Sequence, residues 1–437
     1  MNDDCKDMSE NSITSPPAPA AKTSVSGNLR KALGPGILVA CAAIGGSHLV
    51  WSTQAGANYG WSLLWLVLLA NLLKFPFFYF GQRYTAATGE SLLAGYMRRG
   101  KGYVWIFLGI NILTGTINIA GVGMLSGALL AGYGLGGVAV AHLTVGLILV
   151  CALLLFLGHY RLLDGMAKVI IVVLAVATLV AVFVAVPQRV EPVEGFVAES
   201  PYTLAGFAFI VLLIGWMPAP IDLSAWSSLW MFSRERQTGH FATRRETAID
   251  FHIGYASATV MAVLFLALGA LVMHGSGRTF SETGIGFSSE LVALYTETIG
   301  AWAHWLILTA AFVTMFSTTL TCVDGYPRSL AACCVLLGGL PLERMPRLHR
   351  VWMVVAVASS AVVVLFFVSN LLQLLAFAAA VSFLTSPVLA YINYKVMNGP
   401  NVPPADRPGP ALHALSLVGM VFFALMAAAY LWVLLGR

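Results

Sequence analysis

Charge is what this chain has least of. Only 10% of its 437 residues are Asp, Glu, Lys or Arg, against roughly 25% in a soluble globular domain, so an ordinary water-facing surface cannot be built from it. Cysteine is sparse as well. Cys5, Cys41, Cys151, Cys322, Cys333 and Cys334 show no CxxC spacing, which leaves no disulfide framework and no zinc site of the usual pattern. A Walker loop, an HExxH pair, a hydrolase elbow and a kinase set are all missing. We therefore expect no enzyme and no resident cofactor, and energy from an ion gradient rather than from ATP. The alternating short strands of an outer-membrane barrel are absent too.

What is present is apolar. Hydrophobic residues make up 59% of the chain and the mean hydropathy is +0.83, so the expected class is an all-α polytopic membrane protein. Runs of about 20 apolar residues suffice to cross a bilayer. Eleven occur, near 34–56, 61–82, 103–130, 137–158, 165–187, 202–231, 250–275, 300–325, 350–369, 371–393 and 410–435. The Ser-, Pro- and Ala-rich residues 1–29 read as a disordered cytoplasmic tail, since the first apolar run begins too late and is too long for a signal peptide. Residues 30–395 form the expected core, with inverted repeats over about 34–187 and 202–393, and 396–437 supply a linker and helix 11.

The net charge of +5 is explained by where the basic residues fall. With the N-terminus inside, twenty Lys and Arg lie in the tail and the inner loops, against Arg189, Arg278 and Arg437 outside. That bias places the N-terminus in the cytoplasm and the C-terminus on the outer side of the cytoplasmic membrane. It calls for no nucleic-acid partner; the partners expected are the lipid bilayer and a small transported solute, and the oligomeric state is left open.

Two spans are interrupted. In "GPGILVACAAIGGSHLVWSTQAG" the first span holds Gly45, Gly46 and Ser47 at its centre, followed by His48. In "FIVLLIGWMPAPIDLSAWSSLW" the sixth carries Pro218 and Pro220, each of which removes a backbone donor. Span 1 runs outward and span 6 inward, as an inverted repeat requires, and paired breaks of this kind point to a solute site near the midplane.

Around the breaks stand the side chains with chemistry. Asp222 falls in the first turn after Pro220, where it either caps the restarting helix or serves the substrate or a proton. Met217 offers a soft thioether, or simply packs. His48 is a nitrogen ligand or proton acceptor, or a structural histidine. Lys74 lies inside span 2, nine residues before Arg83; it is a coupling or pathway residue, or a lysine that snorkels or pairs within the bundle. Asn111, Thr114 and Asn118 form a polar stripe on span 3, and Thr314, Ser317, Thr318, Thr321 and Asp324 line the inner half of span 8. Either set could line a pathway or bond between helices.

The stretches "GPGILVACAAIGGSH" and "AGANYGWSLLWLVLLANLL", with "MP" at the second break, resemble the natural resistance-associated macrophage protein (NRAMP) family of proton-coupled divalent-metal transporters over about residues 30–395. The resemblance implies a LeuT-type fold with a 5+5 inverted repeat, broken helices 1 and 6, and alternating access. The family's Asp-Pro-Gly-Asn falls on Gly45, Gly46, Ser47 and His48; its Met-Pro-His becomes Met217, Pro218 and Ala219; its helix 3 acids fall on Gly115 and Asn118. Scaffold kept and site rebuilt is the expectation. One reading is a divalent metal held by His48, Met217 and Asp222 with the carbonyls of Gly45 and Trp216; the substrate-facing set is Gly45, Gly46, Ser47, His48, Trp216, Met217 and Asp222. Lys74, Asn118, Thr318 and Asp324 are the candidates for coupling or pathway, with proton and sodium both open as the coupling ion. The alternatives are a small organic solute such as an amino acid or amine, and a membrane sensor that does not transport.

Overall fold

The computed structural model describes residues 29–135, 137–158, 160–187, 192–281, 283–367 and 370–436. The tail expected over 1–29 lies outside them, Leu29 excepted. After a single turn at Leu29–Ala32, the helices are α1 (Pro35–Ala43), α2 (Thr53–Tyr59), α3 (Leu64–Thr88), α4 (Leu92–Arg99), α5 (Lys101–Ala131), α6 (Val140–Phe156), α7 (Tyr160–Ala185) and α8 (Leu204–Trp216). The second half holds α9 (Leu223–Thr238), α10 (Arg244–Val272), α11 (Gly284–Ile299), α12 (His304–Gly338), α13 (Met345–Val362), α14 (Leu371–Met397) and α15 (Pro410–Leu435). Among the described residues seven helices are long and apolar enough to cross a membrane, and the bent pair over Pro35–Ala43 and Ser47–Tyr59 makes up to eight. Shorter apolar helices at Val140–Phe156, Val172–Ala185 and Leu204–Trp216 occupy the other three places where spans are expected.

The two interruptions fall where the sequence puts them. Span 1 is α1, a wider π turn over Ser47–Ser52, and α2, with a bend of 47°. Span 6 is α8 and α9 joined by residues 217–222. The sequence did not show α4 or α11, because neither holds an apolar run long enough to attract notice. Each is a capped amphipathic helix: Ser91 accepts from Ala94 N–H at 3.1 Å, and Thr283 from Gly286 N–H at 3.2 Å. In α11, Phe287, Leu291, Leu294 and Tyr295 are buried at helical spacing.

Helix α10 is the splint along which both halves of span 1 lie. A Cβ on Gly254 would collide with the Gly36 carbonyl oxygen, and one on Gly269 with that of Thr53, so the backbones touch where only glycine fits. Asp250 holds the start of α1, its two oxygens accepting from Gly34 N–H at 2.9 Å and Gly36 N–H at 2.5 Å. These are two of the donors that any helix leaves unpaired at its N-terminus. By contrast α15 presents its apolar side chains outward, with Trp432 77% and Leu425 66% exposed, a surface suited to lipid rather than water.

Asp250→Ala should leave both amides unpaired and free α1, the first half of span 1. The expected loss is on the order of 1–2 kcal/mol, read as a lower unfolding temperature of the detergent-purified protein; Asp250→Asn should lose less. Equal unfolding temperatures for all three proteins would show that α1 is held by packing alone.

Candidate functional site

Span 1 breaks because three small residues in a row give the backbone no reason to stay helical. Ile44 leaves the helix at ψ 83, and the carbonyls so released are met from outside. Thr318 Oγ on α12 donates towards Cys41 O at 3.1 Å and Ile44 O at 3.4 Å, while Ser47 Oγ lies 2.7 Å from Ala43 O. Span 6 breaks because Pro218 and Pro220 have no N–H to give. Met217 is extended, at φ −90 and ψ 119, and α9 restarts with Asp222 at its N-cap position.

The breaks meet. Ser47 Oγ of the first donates to Pro218 O of the second at 3.1 Å. Between them is a cavity of about 30 Å³ whose wall includes Gly46, Ser47, Asn118, Trp216, Thr318 and Tyr326. That is room for a water or two, or for one bare ion. Trp216 forms one side: its ring edge would stand 2.5 Å from a Cβ on Gly46, and its Nε1–H donates to Ser382 Oγ at 3.3 Å.

The wall is poor in charge. Asn118 donates through Nδ2 to the Tyr326 hydroxyl at 2.5 Å, and its buried Oδ1 has no hydrogen-bond partner. Asp222, 1% exposed, makes no capping bond. Its Oδ2 accepts from Thr114 Oγ at 3.2 Å, and its Oδ1 is the second buried oxygen without a partner. The reading of Asp222 as a helix cap is thus corrected: the carboxylate turns towards α5. The other candidate reading of the span 3 stripe, bonding between helices, is what its side chains do, since Asn111 also accepts from Ser329 Oγ at 3.2 Å.

Of the residues expected to face a substrate, Gly46, Ser47 and Trp216 line the cavity, and so do Asn118 and Thr318 from the pathway set. Gly45 packs against Thr318, which would lie 2.9 Å from a Cβ there. His48, Met217 and Asp222 do not line it. Both ring nitrogens of His48 are engaged, Nδ1 with Ser47 Oγ at 2.6 Å and Nε2 with Ala258 O at 2.8 Å, so the ring faces α10. Among the described residues no group of three or more His, Cys, Asp and Glu is placed to hold a metal ion. Lys74 neither snorkels nor reaches the cavity. It is fully buried and donates to the carbonyls of Ile214, Gly215 and Ala219 at 2.7, 2.8 and 3.0 Å. Asp324 pairs with Arg328 at 2.6 Å and accepts from Trp230 Nε1 at 3.2 Å, away from the cavity wall. Sequence reasoning missed Cys322 and Tyr326 in the wall; both follow Thr318 on α12 at helical spacing, which was the available signal.

The family model of natural resistance-associated macrophage protein-like proteins matches residues 36–433. The chain belongs to that family. A relative from Pasteurella multocida, the uncharacterized protein PM0681, is 42% identical over 396 residues, covering 90% of this chain and 89% of its own length. The divalent metal cation transporter MntH of Staphylococcus aureus is 28% identical over 329 residues, covering 72% of this chain and 70% of its own. Among solved structures, a mutant of the Eremococcus coleocola manganese transporter superimposes with a TM-score of 0.64 over 95% of this chain and 89% of that one, at 16% identity. The expected all-helical LeuT-type architecture, with spans 1 and 6 broken, is the one this NRAMP-like chain has. The family is one of membrane transporters and not of enzymes.

In this family member Gly46→Ala would drive a methyl into the Trp216 ring, whose indole N–H is tied to Ser382. Overpacking of this kind costs about 1–3 kcal/mol; taken from the occupied state of the site, it corresponds to a fall in solute uptake on the order of tenfold or more. Uptake into proteoliposomes, with size-exclusion elution as the folding control, checks this; full uptake would place the solute elsewhere.

Proposed function

We propose that this chain is a secondary active transporter that carries a divalent metal cation across the cytoplasmic membrane by alternating access, with its cargo site in the cavity between the two broken helices. The observation that carries the reading is the joint of Ser47 and Pro218, which closes both breaks around a space of ion size beside an unpartnered oxygen, Asn118 Oδ1. The names of MntH and of the manganese transporter with the same fold support the choice of a divalent metal. The site is non-standard: its wall is built with Asn118, whose Oδ1 is unpartnered, and with Ser47, Thr318 and Cys322 as the other residues with ligand atoms. Neutral oxygens with one sulfur suit a borderline transition metal better than calcium or magnesium. Asp222 and Met217 flank the second break, where a movement of α8 against α9 would bring them to the cargo, and His48 positions Ser47.

The Lys and Arg bias supports the orientation, N-terminus in the cytoplasm and C-terminus outside. The lack of any nucleotide motif supports coupling to an ion gradient. A second reading, transport of a small organic solute such as an amine or amino acid, is favoured by the apolar part of the wall, Val122, Trp216 and Leu223.

Purified protein in liposomes loaded with a metal-sensitive dye should accumulate manganese saturably, above protein-free vesicles. Asn118→Ala and Asp222→Asn should each cut uptake on the order of tenfold, since one good ligand or one buried charge-assisted contact is worth about 1.5–3 kcal/mol. Inhibition by amines or amino acids without any metal uptake would replace this reading by the second. No uptake of either class would leave a sensor.

A further inference from the structure

The break in span 6 leaves particular carbonyls without their helical donors. In a continuous helix Ile214 O would accept from residue 218 and Gly215 O from residue 219. Residue 218 is proline, which has no N–H, and by residue 219 the chain has left the helix. Ile214 O keeps a 3.2 Å contact from Met217 N–H, and Leu223 N–H, the helical partner of Ala219 O, turns to Pro220 O at 3.3 Å. Three carbonyl oxygens thus converge at the C-terminal end of α8, where the helix dipole is negative.

One side chain answers all three. Lys74 enters from α3, fully buried, and its ammonium has three donors and no acceptor. Each donor is engaged, on Ile214 O, Gly215 O and Ala219 O at 2.7–3.0 Å. A shell of backbone carbonyls at a helix C-terminus is how broken membrane helices hold small inorganic cations.

We propose that these carbonyls form a monovalent-cation site and that the ε-ammonium of Lys74 is its permanent occupant, a tethered cation doing what a bound sodium or potassium ion would do elsewhere. The consequence is specific to this chain: neither ion is needed to keep the second break in shape. The inference concerns the break and holds whichever cargo the cavity carries.

Thermal unfolding of the detergent-purified protein tests it, in sodium, potassium, methylammonium or N-methylglucamine chloride at equal ionic strength. The wild type should unfold at the same temperature in all four. Lys74→Ala, which empties the site, should unfold earlier in N-methylglucamine and recover by several degrees, saturably, in methylammonium or sodium. Lys74→Met, which fills the space without charge, should be destabilised and recover in none. A Lys74→Ala protein that accumulates only with methylammonium in the medium also supports the proposal. The proposal is overturned if Lys74→Met is as stable as wild type, if Lys74→Ala is indifferent to the cation or fails to accumulate under all four, or if the wild type itself gains stability from sodium. None of these readouts depends on transport, so a failure of the metal-uptake reading would not alter them.

Discussion

Every backbone N–H and C=O that a membrane protein releases in hydrocarbon must be met by something else in the protein, and the structure around the cavity is organised by that rule. Two breaks release polar groups at mid-span. Those of the first lie against hydroxyls, with Thr318 placed on the carbonyls of Cys41 and Ile44, while Ser47 Oγ donates across to the second break at Pro218 O. Those of the second are taken by an ammonium, because Pro218 and Pro220 strip donors in succession and one hydroxyl could not replace them. The cavity is what remains once these bonds are made, and its few unpartnered oxygens, Asn118 Oδ1 and the nearby Asp222 Oδ1, are for that reason its most informative atoms.

Two buried charges flank the second break, and each stands at the helix end that suits it. Lys74 lies at the C-terminal, negative end of α8, and Asp222 at the N-terminal, positive end of α9. Their signs cancel, which matters because an isolated buried ion costs several kcal/mol even after relaxation. In the transporter proposed above, a cargo cation therefore meets a break whose flanking charges are already balanced, unlike one framed by a lone carboxylate. Gly45, which the NRAMP resemblance aligns with a helix 1 acid, adds no charge of its own to that balance.

How much of this the residues disclose depends on the range of the interaction. Gly45-Gly46-Ser47 and Met217-Pro218-Ala219-Pro220 announce their breaks because glycine and proline act on their own backbone. The polar stripe of Asn111, Thr114 and Asn118 is legible from helical spacing, though its partners on α9 and α12 are not. Lys74 is visible as a charge in an apolar run, but the carbonyls it serves lie 140–145 residues away, and a carbonyl leaves no mark in a sequence. The direction of His48 is hidden because the π turn over Ser47–Ser52 rotates it towards Ala258, where a regular helix would have given another face. Helices α4 and α11 escape because amphipathic pieces of 8 and 16 residues carry no span-length signal.

The position that the NRAMP resemblance aligns with a helix 3 acid shows how close packing reaches the cavity. Here it is Gly115, and the Tyr326 ring presses on it, at 3.0 Å from where a Cβ would be. Tyr326 in turn meets the Trp226 ring edge-on at 4.5 Å, and Trp226 lies over Gly325, where a Cβ would run into its ring. Two glycines thus make room for two large rings, and the hydroxyl of one of them reaches Asn118 at the cavity. A carboxylate at 115 would clash with the Tyr326 ring and be buried beside Asp222 with no added cation to offset it. Gly115, Gly325, Tyr326 and Trp226 are in this sense one packing unit, and Asp222 meets the same helix through Thr114.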